Sequence, residues 1–232
     1  MKKNAILQSN YIPWKGYFNL IDSVDEFIFY DEVQYTKNDW RNRNKIMTPA
    51  GPSWLTIPVM QTHLSQSINE TKLLNEHWKK KHLGTIKQFY SGSDHYKDTI
   101  DLIAGLYADC HFEMLSEINR HFISGICNFL EIKTIFTASE KYGLIEGKTE
   151  RLIDLVQKAG GTEYISGPAA KDYLNAELFK EAGIKLTWMD YAGYPEYPQR
   201  GPAFEHGVSV IDLILNTGAD AKKYLQKGPL PQ

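Results

Sequence analysis

The pattern of apolar and polar positions at the start of the chain indicates alternating strands and helices. A short apolar run at residues 5–7 ends in polar residues, and apolar positions then recur at helical spacing over residues 14–21. Residues 26–31 form a second run that is typical of a strand. This order of strand, loop, helix and strand predicts one crossover unit of a parallel sheet.

The rest of the chain continues the alternation around a helical middle. Apolar residues recur at helical intervals over roughly residues 76–130, which predicts a helical insertion or subdomain. Further strands are predicted at residues 54–59, 133–139, 164–166 and 184–189, and helices at residues 150–159 and 210–215. We expect Ser209 and Thr149 to cap the last two helices. The predicted fold is α/β, a Rossmann-like parallel sheet in one domain over residues 1–232.

Composition and charge exclude several classes of protein. The 232 residues carry a formal net charge of −2 with mixed signs along the chain, so no basic field favours nucleic acid as a partner. The two cysteines do not indicate a disulfide framework and suit a reducing compartment. The first apolar run is too short for a signal peptide or a membrane span. We therefore expect a cytoplasmic protein without membrane insertion.

Aromatic residues are abundant: the chain has 14 Tyr and 5 Trp. Such side chains combine a flat apolar face with a hydrogen-bonding tip, which suits sugars and nucleobases, although they also pack cores. The densest polar cluster, residues 34–44, surrounds Trp40 and follows a predicted strand, where ligands bind in α/β sheets. Arg41 and Arg43 can hold a phosphate or carboxylate, and Asn42 can bind hydroxyls. The alternative is a solvated surface loop.

The loop after the first strand has the layout in which nucleotidylyltransferases hold phosphates with an HxGH motif. Trp14-Lys15-Gly16-Tyr17 occupies that spacing, but the histidines that donate in nucleotidyl transfer are missing. The layout is therefore a hint of fold rather than of that reaction.

Three other segments have the character of ligand-binding loops. Lys148 and Arg151 flank the start of a predicted helix, which favours an anion, although a plain capped helix fits as well. Ser166 lies at a strand end before a Gly-Pro turn, which has a purely structural alternative. Tyr197 and Gln199 lie in a stiff proline-containing loop that we expect to point them outward, over a site or as a rigid connector. No metal or cofactor motif is present, since His77 and His82 are five positions apart.

The quoted motifs resemble those of the WbqC-like protein family over nearly the whole chain. Residues 8–18 resemble its opening QPxYxPWxGYF, with Ser9 in place of the usual proline. Residues 31–35 and 39–44 resemble its DDVQY and WxNRN elements. Weaker similarity continues at residues 54–58, 149–152, 164–167, 197–199 and 209–213.

The resemblance implies a transferase of bacterial surface-polysaccharide biosynthesis, that of O-antigen and lipopolysaccharide. We expect it to acylate or aminoacylate the amine of a nucleotide-linked amino sugar, with an activated acyl or aminoacyl donor as second substrate and without a cofactor. Asp31 and Asp39 are the candidate general bases. The candidate substrate-binding residues are Gln8, Tyr11, Trp14, Tyr17, Gln34, Trp40, Arg41, Asn42, Arg43, Lys148, Thr149, Arg151, Ser166, Tyr197 and Gln199. The alternatives are a nucleotidylyltransferase-like enzyme on a sugar phosphate and a non-catalytic sugar-nucleotide-binding protein.

Overall fold

The computed structural model describes residues 1–225, so the last seven residues of the predicted domain lie outside the described part. Its strands are β1 (Lys3–Leu7), β2 (Glu26–Phe29), β3 (Arg43–Thr48), β4 (Gly51–Thr56), β5 (Val59–Met60), β6 (Lys72–Leu73), β7 (Ile135–Ala138), β8 (Glu163–Ser166) and β9 (Lys185–Trp188). Its helices are α1 (Lys15–Asp22), α2 (His77–Tyr90), α3 (Tyr96–Ala108), α4 (Leu115–Phe129), α5 (Thr149–Lys158), α6 (Ala176–Glu181) and α7 (Val210–Thr217). Short 3-10 turns occupy Ser139–Lys141, Pro168–Asp172 and Gly218–Leu225.

A five-stranded sheet with the order β7-β2-β1-β8-β9 forms the centre of the fold. All its pairings are parallel, with Leu7 beside Phe29 and Asn4 beside Tyr164. The strand order therefore reverses between β1 and β8, and such a reversal opens a crevice beyond the carboxyl ends of those strands. The predicted Rossmann-like parallel sheet is confirmed.

Helices cover both faces of this sheet. One face carries the larger apolar cluster, in which Phe27 of β2 packs with residues of α1, α4 and α7. The other face carries a smaller cluster, in which Ile28 packs with Leu155 of α5 and Phe179 of α6. Strands β2 and β8 are consequently buried at every position, as expected for a parallel sheet covered on both sides. Helices α2, α3 and α4 confirm the predicted helical middle segment.

The predicted strand at residues 54–59 and part of the predicted loop at residues 34–44 form a separate hairpin. Strands β3 and β4 pair antiparallel, with Lys45 opposite Trp54, and do not join the central sheet. Strand β4 ends at Thr56, so the predicted strand is interrupted before Pro58. Arg43 therefore starts a strand instead of continuing a loop.

The two predicted helix caps have different outcomes. The Ser209 hydroxyl accepts a hydrogen bond from the Ile211 N–H at 3.3 Å, which confirms the cap of α7. The predicted Thr149 cap is wrong, because Lys148 occupies the cap position and makes no side-chain cap bond. The Thr149 hydroxyl instead accepts a hydrogen bond from the Asn175 N–H at 3.1 Å, and so ties α5 to the start of α6.

Candidate functional site

A cavity of about 470 Å³ lies where the strand order reverses, between the ends of β1 and β8 and the start of α5. We call it the switch-point cavity. It is lined by Ile6, Leu7, Gln8, Tyr30, Val33, Gly147, Lys148, Arg151, Leu152, Tyr164, Ser166, Gly167, Ala169, Ala170 and Tyr173. The structure thus brings together four residues that the sequence singled out: Gln8, Lys148, Arg151 and Ser166.

The two charged side chains that line the switch-point cavity, Lys148 and Arg151, are both positive. Lys148 is exposed at the wall, and none of the lining residues named above is acidic. Arg151 donates through Nε to the Ile145 carbonyl at 2.6 Å and through Nη1 to the Tyr30 hydroxyl at 3.0 Å. The first turn of α5 adds the partial positive charge of a helix N-terminus, and it also carries the exposed Glu150, whose carboxylate lies against Gly147. This arrangement suits a phosphate or diphosphate.

A second cavity of about 250 Å³, the tryptophan pocket, is lined by Asn10, Pro13, Trp14, Trp40, Asn44 and Gly207. The Trp14 ring lies directly against Gly16, where an added Cβ would come within 2.3 Å of the ring. The Trp14 ring also meets Tyr191 edge to face, with ring centroids 5.1 Å apart. Trp40 is 39% exposed and its ring lies 5.2 Å from that of Trp54. Two indole rings therefore form much of this pocket.

Arg41 connects the walls of the two cavities. Its guanidinium donates to the side-chain oxygen of Asn10, in the tryptophan pocket, and to that of Gln8, in the switch-point cavity, at 3.4 Å for the latter. Arg43 has other partners: it donates to the backbone carbonyl of Asn38 and lies 4.1 Å from the centre of the Trp54 ring. The two arginines that the sequence suggested as a pair therefore contact different groups.

Buried polar groups hold the loop between β1 and α1. Asp31 is fully buried and accepts hydrogen bonds from the Ser9 N–H at 2.8 Å and from Arg120 Nε and Nη2 at 3.2 and 3.0 Å. Burial raises the pKa of Asp31, and the bonds from Ser9 and Arg120 oppose that shift. Asn119 donates to the Ser9 hydroxyl at 3.1 Å and to the Arg41 carbonyl at 2.9 Å. The catalytic role of Asp31 stays a prediction, but its carboxylate is engaged in holding this loop.

Strain in the same loop is held by Asn44. Ile12 has φ of 36°, a left-handed backbone that β-branched residues rarely adopt. The Asn44 amide donates to the carbonyls of Tyr11 and Ile12 at 3.1 and 3.0 Å. Asn42 is also buried and donates to the Ile57 carbonyl at 2.8 Å, so its amide is directed into the fold.

Two predicted binding tyrosines lie in the core beneath the loop. Tyr11 is fully buried, and its hydroxyl lies 2.9 Å from Nδ1 of His82. Tyr17 is buried as well and donates to the Gln8 carbonyl at 2.9 Å. Both therefore support the loop from below and neither lines a cavity described above.

The remaining cluster residues lie near the surface. Asp39 accepts a hydrogen bond from the Trp40 N–H at 2.7 Å and lies 3.8 Å from Arg41, with its side chain 31% exposed. Gln34 is exposed and donates to the Leu64 carbonyl at 2.6 Å. Asp39 thus adjoins the tryptophan pocket, whereas Gln34 binds a neighbouring loop.

The expectation that Tyr197 and Gln199 point outward is wrong. Both donate to the same buried carboxylate oxygen of Asp212, at 2.6 and 2.7 Å. The loop that carries Tyr197 and Gln199 packs against α7 because the buried Asp212 carboxylate requires hydrogen-bond donors. Burial raises the pKa of Asp212, and the hydrogen bonds from these two side chains oppose that shift.

The same loop covers Lys15, which the sequence analysis did not select. Lys15 is 2% exposed and its Nζ donates to the Pro195 carbonyl at 2.9 Å. The Nζ also lies 5.1–5.6 Å from the rings of Tyr194, Tyr197 and Phe204. Burial lowers the pKa of Lys15 to about 8, which nearby Asp212 and Glu196 partly oppose. Its place inside Trp14-Lys15-Gly16-Tyr17 was the one signal for it.

Within residues 1–225 no three His, Cys, Asp or Glu side chains are grouped to hold a metal ion. The helices of the same residues include none with the length and apolar content needed to cross a membrane.

Comparisons with known proteins support one family. The model of the WbqC-like protein family matches residues 8–224. The Mycobacterium tuberculosis protein named "Uncharacterized protein Rv1507c" is 47% identical over 227 residues, which are 97% of this chain and 98% of that protein. No solved structure matches the chain.

Proposed function

The chain belongs to the WbqC-like protein family, and we propose that it is a transferase that acylates or aminoacylates the amine of a nucleotide-linked amino sugar. In this proposal the product enters bacterial surface polysaccharide such as O-antigen, and the reaction takes place in the cytoplasm. The observation that carries the proposal is the positive switch-point cavity at the reversal of strand order.

The chemistry of the cavity supports a nucleoside diphosphate group as the ligand. Lys148, Arg151 and the first turn of α5 supply positive charge for phosphate oxygens. The rings of Tyr30 and Tyr173 can contact a nucleobase, and the side chains of Gln8 and Ser166 can bind hydroxyl groups.

In the proposed reaction the sugar amine attacks the carbonyl carbon of the activated donor. A C–N bond forms, the bond from the carbonyl carbon to the leaving group breaks, and the amine loses a proton to a general base. Asp39 is our candidate for that base, because its side chain is partly exposed and accepts from the N–H of Trp40, which lines the tryptophan pocket. Asp31 is buried against Arg120, so we assign it a positioning role.

The binding step is tested by calorimetric titration of UDP and dTDP into the protein and two variants of α5. Arg151→Gln should weaken diphosphate binding at least tenfold, since a hydrogen bond to a charged group contributes about 1.5–3 kcal/mol. Lys158→Gln is the matched control, because Lys158 pairs with Asp154 at the far end of the same helix. Equal affinities of the two variants, or no binding by the native protein, would overturn the site.

The reaction is tested by mass spectrometry of nucleotide amino sugars incubated with the protein and acyl-CoA or aminoacyl donors. A product that gains the acyl mass and keeps its nucleotide supports the transferase. Pyrophosphate released from a nucleoside triphosphate and a sugar phosphate would identify a nucleotidylyltransferase instead. Binding without any change of mass would favour a non-catalytic sugar-nucleotide-binding protein.

A further inference from the structure

We infer that the tryptophan pocket is a separate subsite for the uncharged pyranose ring of a nucleotide sugar. The inference rests on the proposed function in that the nucleotide is assigned to the switch-point cavity. It adds where the sugar lies and which side chains select it.

The composition of the pocket fits one neutral ring. Its apolar surface comes from Trp14, Trp40 and Pro13, and its side-chain polar group for a ligand is the amide of Asn10. No charged side chain is among its lining residues as described, in contrast to the switch-point cavity. The C–H face of a sugar can stack on indole while the Asn10 amide donates to one of its hydroxyls, and neither contact requires a charged ligand.

The size of the pocket favours a sugar over a nucleotide. Its volume of about 250 Å³ is below the roughly 300 Å³ at which pockets for drug-sized molecules begin. The switch-point cavity, at about 470 Å³, falls inside that range. The nucleotide, which is the larger part of a nucleotide sugar, therefore fits the switch-point cavity.

The polar contacts of the pocket are oriented in advance. The side-chain oxygen of Asn10 is held by Arg41, which turns the Asn10 amide N–H groups away from that bond. Asn44 forms part of the wall, but it is 1% exposed and its amide is used by Tyr11, Ile12 and Lys45. A ligand hydroxyl that accepts from Asn10 would thus meet a donor already in place.

One ligand can reach both cavities. Gln8 lines one cavity and Asn10 the other, two positions further along the chain. Two residues of extended chain span about 7 Å at most. The same Arg41 guanidinium contacts both side chains. A sugar joined to a diphosphate therefore lies within reach of the tryptophan pocket.

Calorimetry on two tryptophan variants tests the subsite. UDP, dTDP and their hexose and 6-deoxyhexose conjugates are titrated into the native protein, Trp40→Ala and Trp54→Ala. The native protein should bind at least one conjugate about tenfold more tightly than its parent nucleotide, and Trp40→Ala should lose that gain. Trp54→Ala should keep it, because Trp54 is equally exposed, at 40%, and contacts Trp40 without lining the pocket. Circular dichroism melting verifies that both variants fold.

Saturation-transfer NMR with methyl pyranosides, including N-acetylated ones, separates this inference from the proposed function. Transfer to the sugar that is lost in Trp40→Ala and kept in Trp54→Ala supports the subsite even if no nucleotide binds. If no conjugate gains affinity and no pyranoside shows transfer, the subsite is overturned, whatever UDP does. Equal behaviour of the two tryptophan variants overturns it as well.

Discussion

The two cavities beside the β1 loop differ in how their side chains are held. In the switch-point cavity the binding groups are an exposed lysine and an arginine anchored by a carbonyl and a tyrosine hydroxyl. In the tryptophan pocket the Trp14 ring is packed against Gly16 and Tyr191. Electrostatic attraction falls off gradually with distance, whereas contact between ring faces needs an accurate position. In the proposed function, phosphate binding therefore depends mainly on nearby positive charge, whereas sugar binding depends on the position of the indole rings.

Both cavities depend on one loop, and its buried bonds provide the largest expected effect. Asp31→Ala should lower the free energy of unfolding by about 3 kcal/mol, the lower end for a broken buried ion pair, because Arg120 stays partly exposed. Urea unfolding measures this loss. Glu140→Gln is the control, since Glu140 contacts the same guanidinium but is 36% exposed and should cost less than about 1 kcal/mol. Equal losses in the two variants would mean that the Asp31–Arg120 pair does not hold the loop.

The second effect should act on the tryptophan pocket alone. Gly16→Ala places a Cβ 2.3 Å from the Trp14 ring, and such overpacking costs about 2 kcal/mol. We expect the conjugates to lose their gain in affinity over the parent nucleotide. The affinity for UDP, measured by calorimetry, should change less than about twofold. Gly84→Ala is the control, because an added Cβ there meets nothing within 4 Å in helix α2. Loss of UDP binding in Gly16→Ala would show that the two cavities are not independent.

The third effect should act on both cavities at once. Arg41→Gln removes the charge and the fork that contacts Gln8 and Asn10, and we expect nucleotide-sugar affinity to fall about tenfold, or about 1.4 kcal/mol. Arg43→Gln should leave it nearly unchanged, since that guanidinium contacts Trp54 and Asn38. The same titration measures both variants. A larger loss in Arg43→Gln would reverse the roles of the two arginines.

The smallest effect depends on pH and concerns the loop beside Trp14. The pKa of Lys15 is about 8 in the folded protein against 10.5 for an ordinary lysine. Between those values the unfolded chain binds the proton and the folded chain does not, so this group makes stability rise with pH.

The free energy of unfolding of the native protein, measured in urea at pH 7, 8 and 9, should therefore rise relative to that of Lys15→Met. The rise should be less than about 1.4 kcal/mol per pH unit. Asp212, Glu196 and His206 also face this amine, so the difference between proteins, and not the absolute stability, carries the test. Lys80→Met, at an exposed position of α2, is the control. A difference that stays flat across this range would mean that the amine is charged in both states.

The central sheet could be predicted because its strands are short apolar runs and its helices show regular spacing. Strand β3 could not, because the buried position Asn44 carries an amide where the pattern requires an apolar residue. That amide is buried because the carbonyls of Tyr11 and Ile12 need a donor. A polar residue serving distant backbone groups has no local signature.

The candidate site could likewise be predicted only in part. Lys148 and Arg151 lie at the start of α5 and Ser166 is the last residue of β8, and the strand order brings those ends together. Arg120 could not be found, because it lies in helix α4 and its partner Asp31 is 89 positions away. An arginine in an amphipathic helix normally indicates the solvent face.

The topology of the sheet allows one segment that lines the tryptophan pocket to be exchanged between relatives as a unit. Strand β2 pairs with β7, so residues 30–134 leave and rejoin the sheet at neighbouring strands. Of the lining residues, that stretch contributes Tyr30 and Val33 to the switch-point cavity but both Trp40 and Asn44 to the tryptophan pocket. A chimera that exchanges this segment between relatives would keep the strand order and most of the phosphate-binding surface. In the proposed function, such an exchange would change the residues assigned to the sugar and, among those lining the nucleotide site, Tyr30 and Val33.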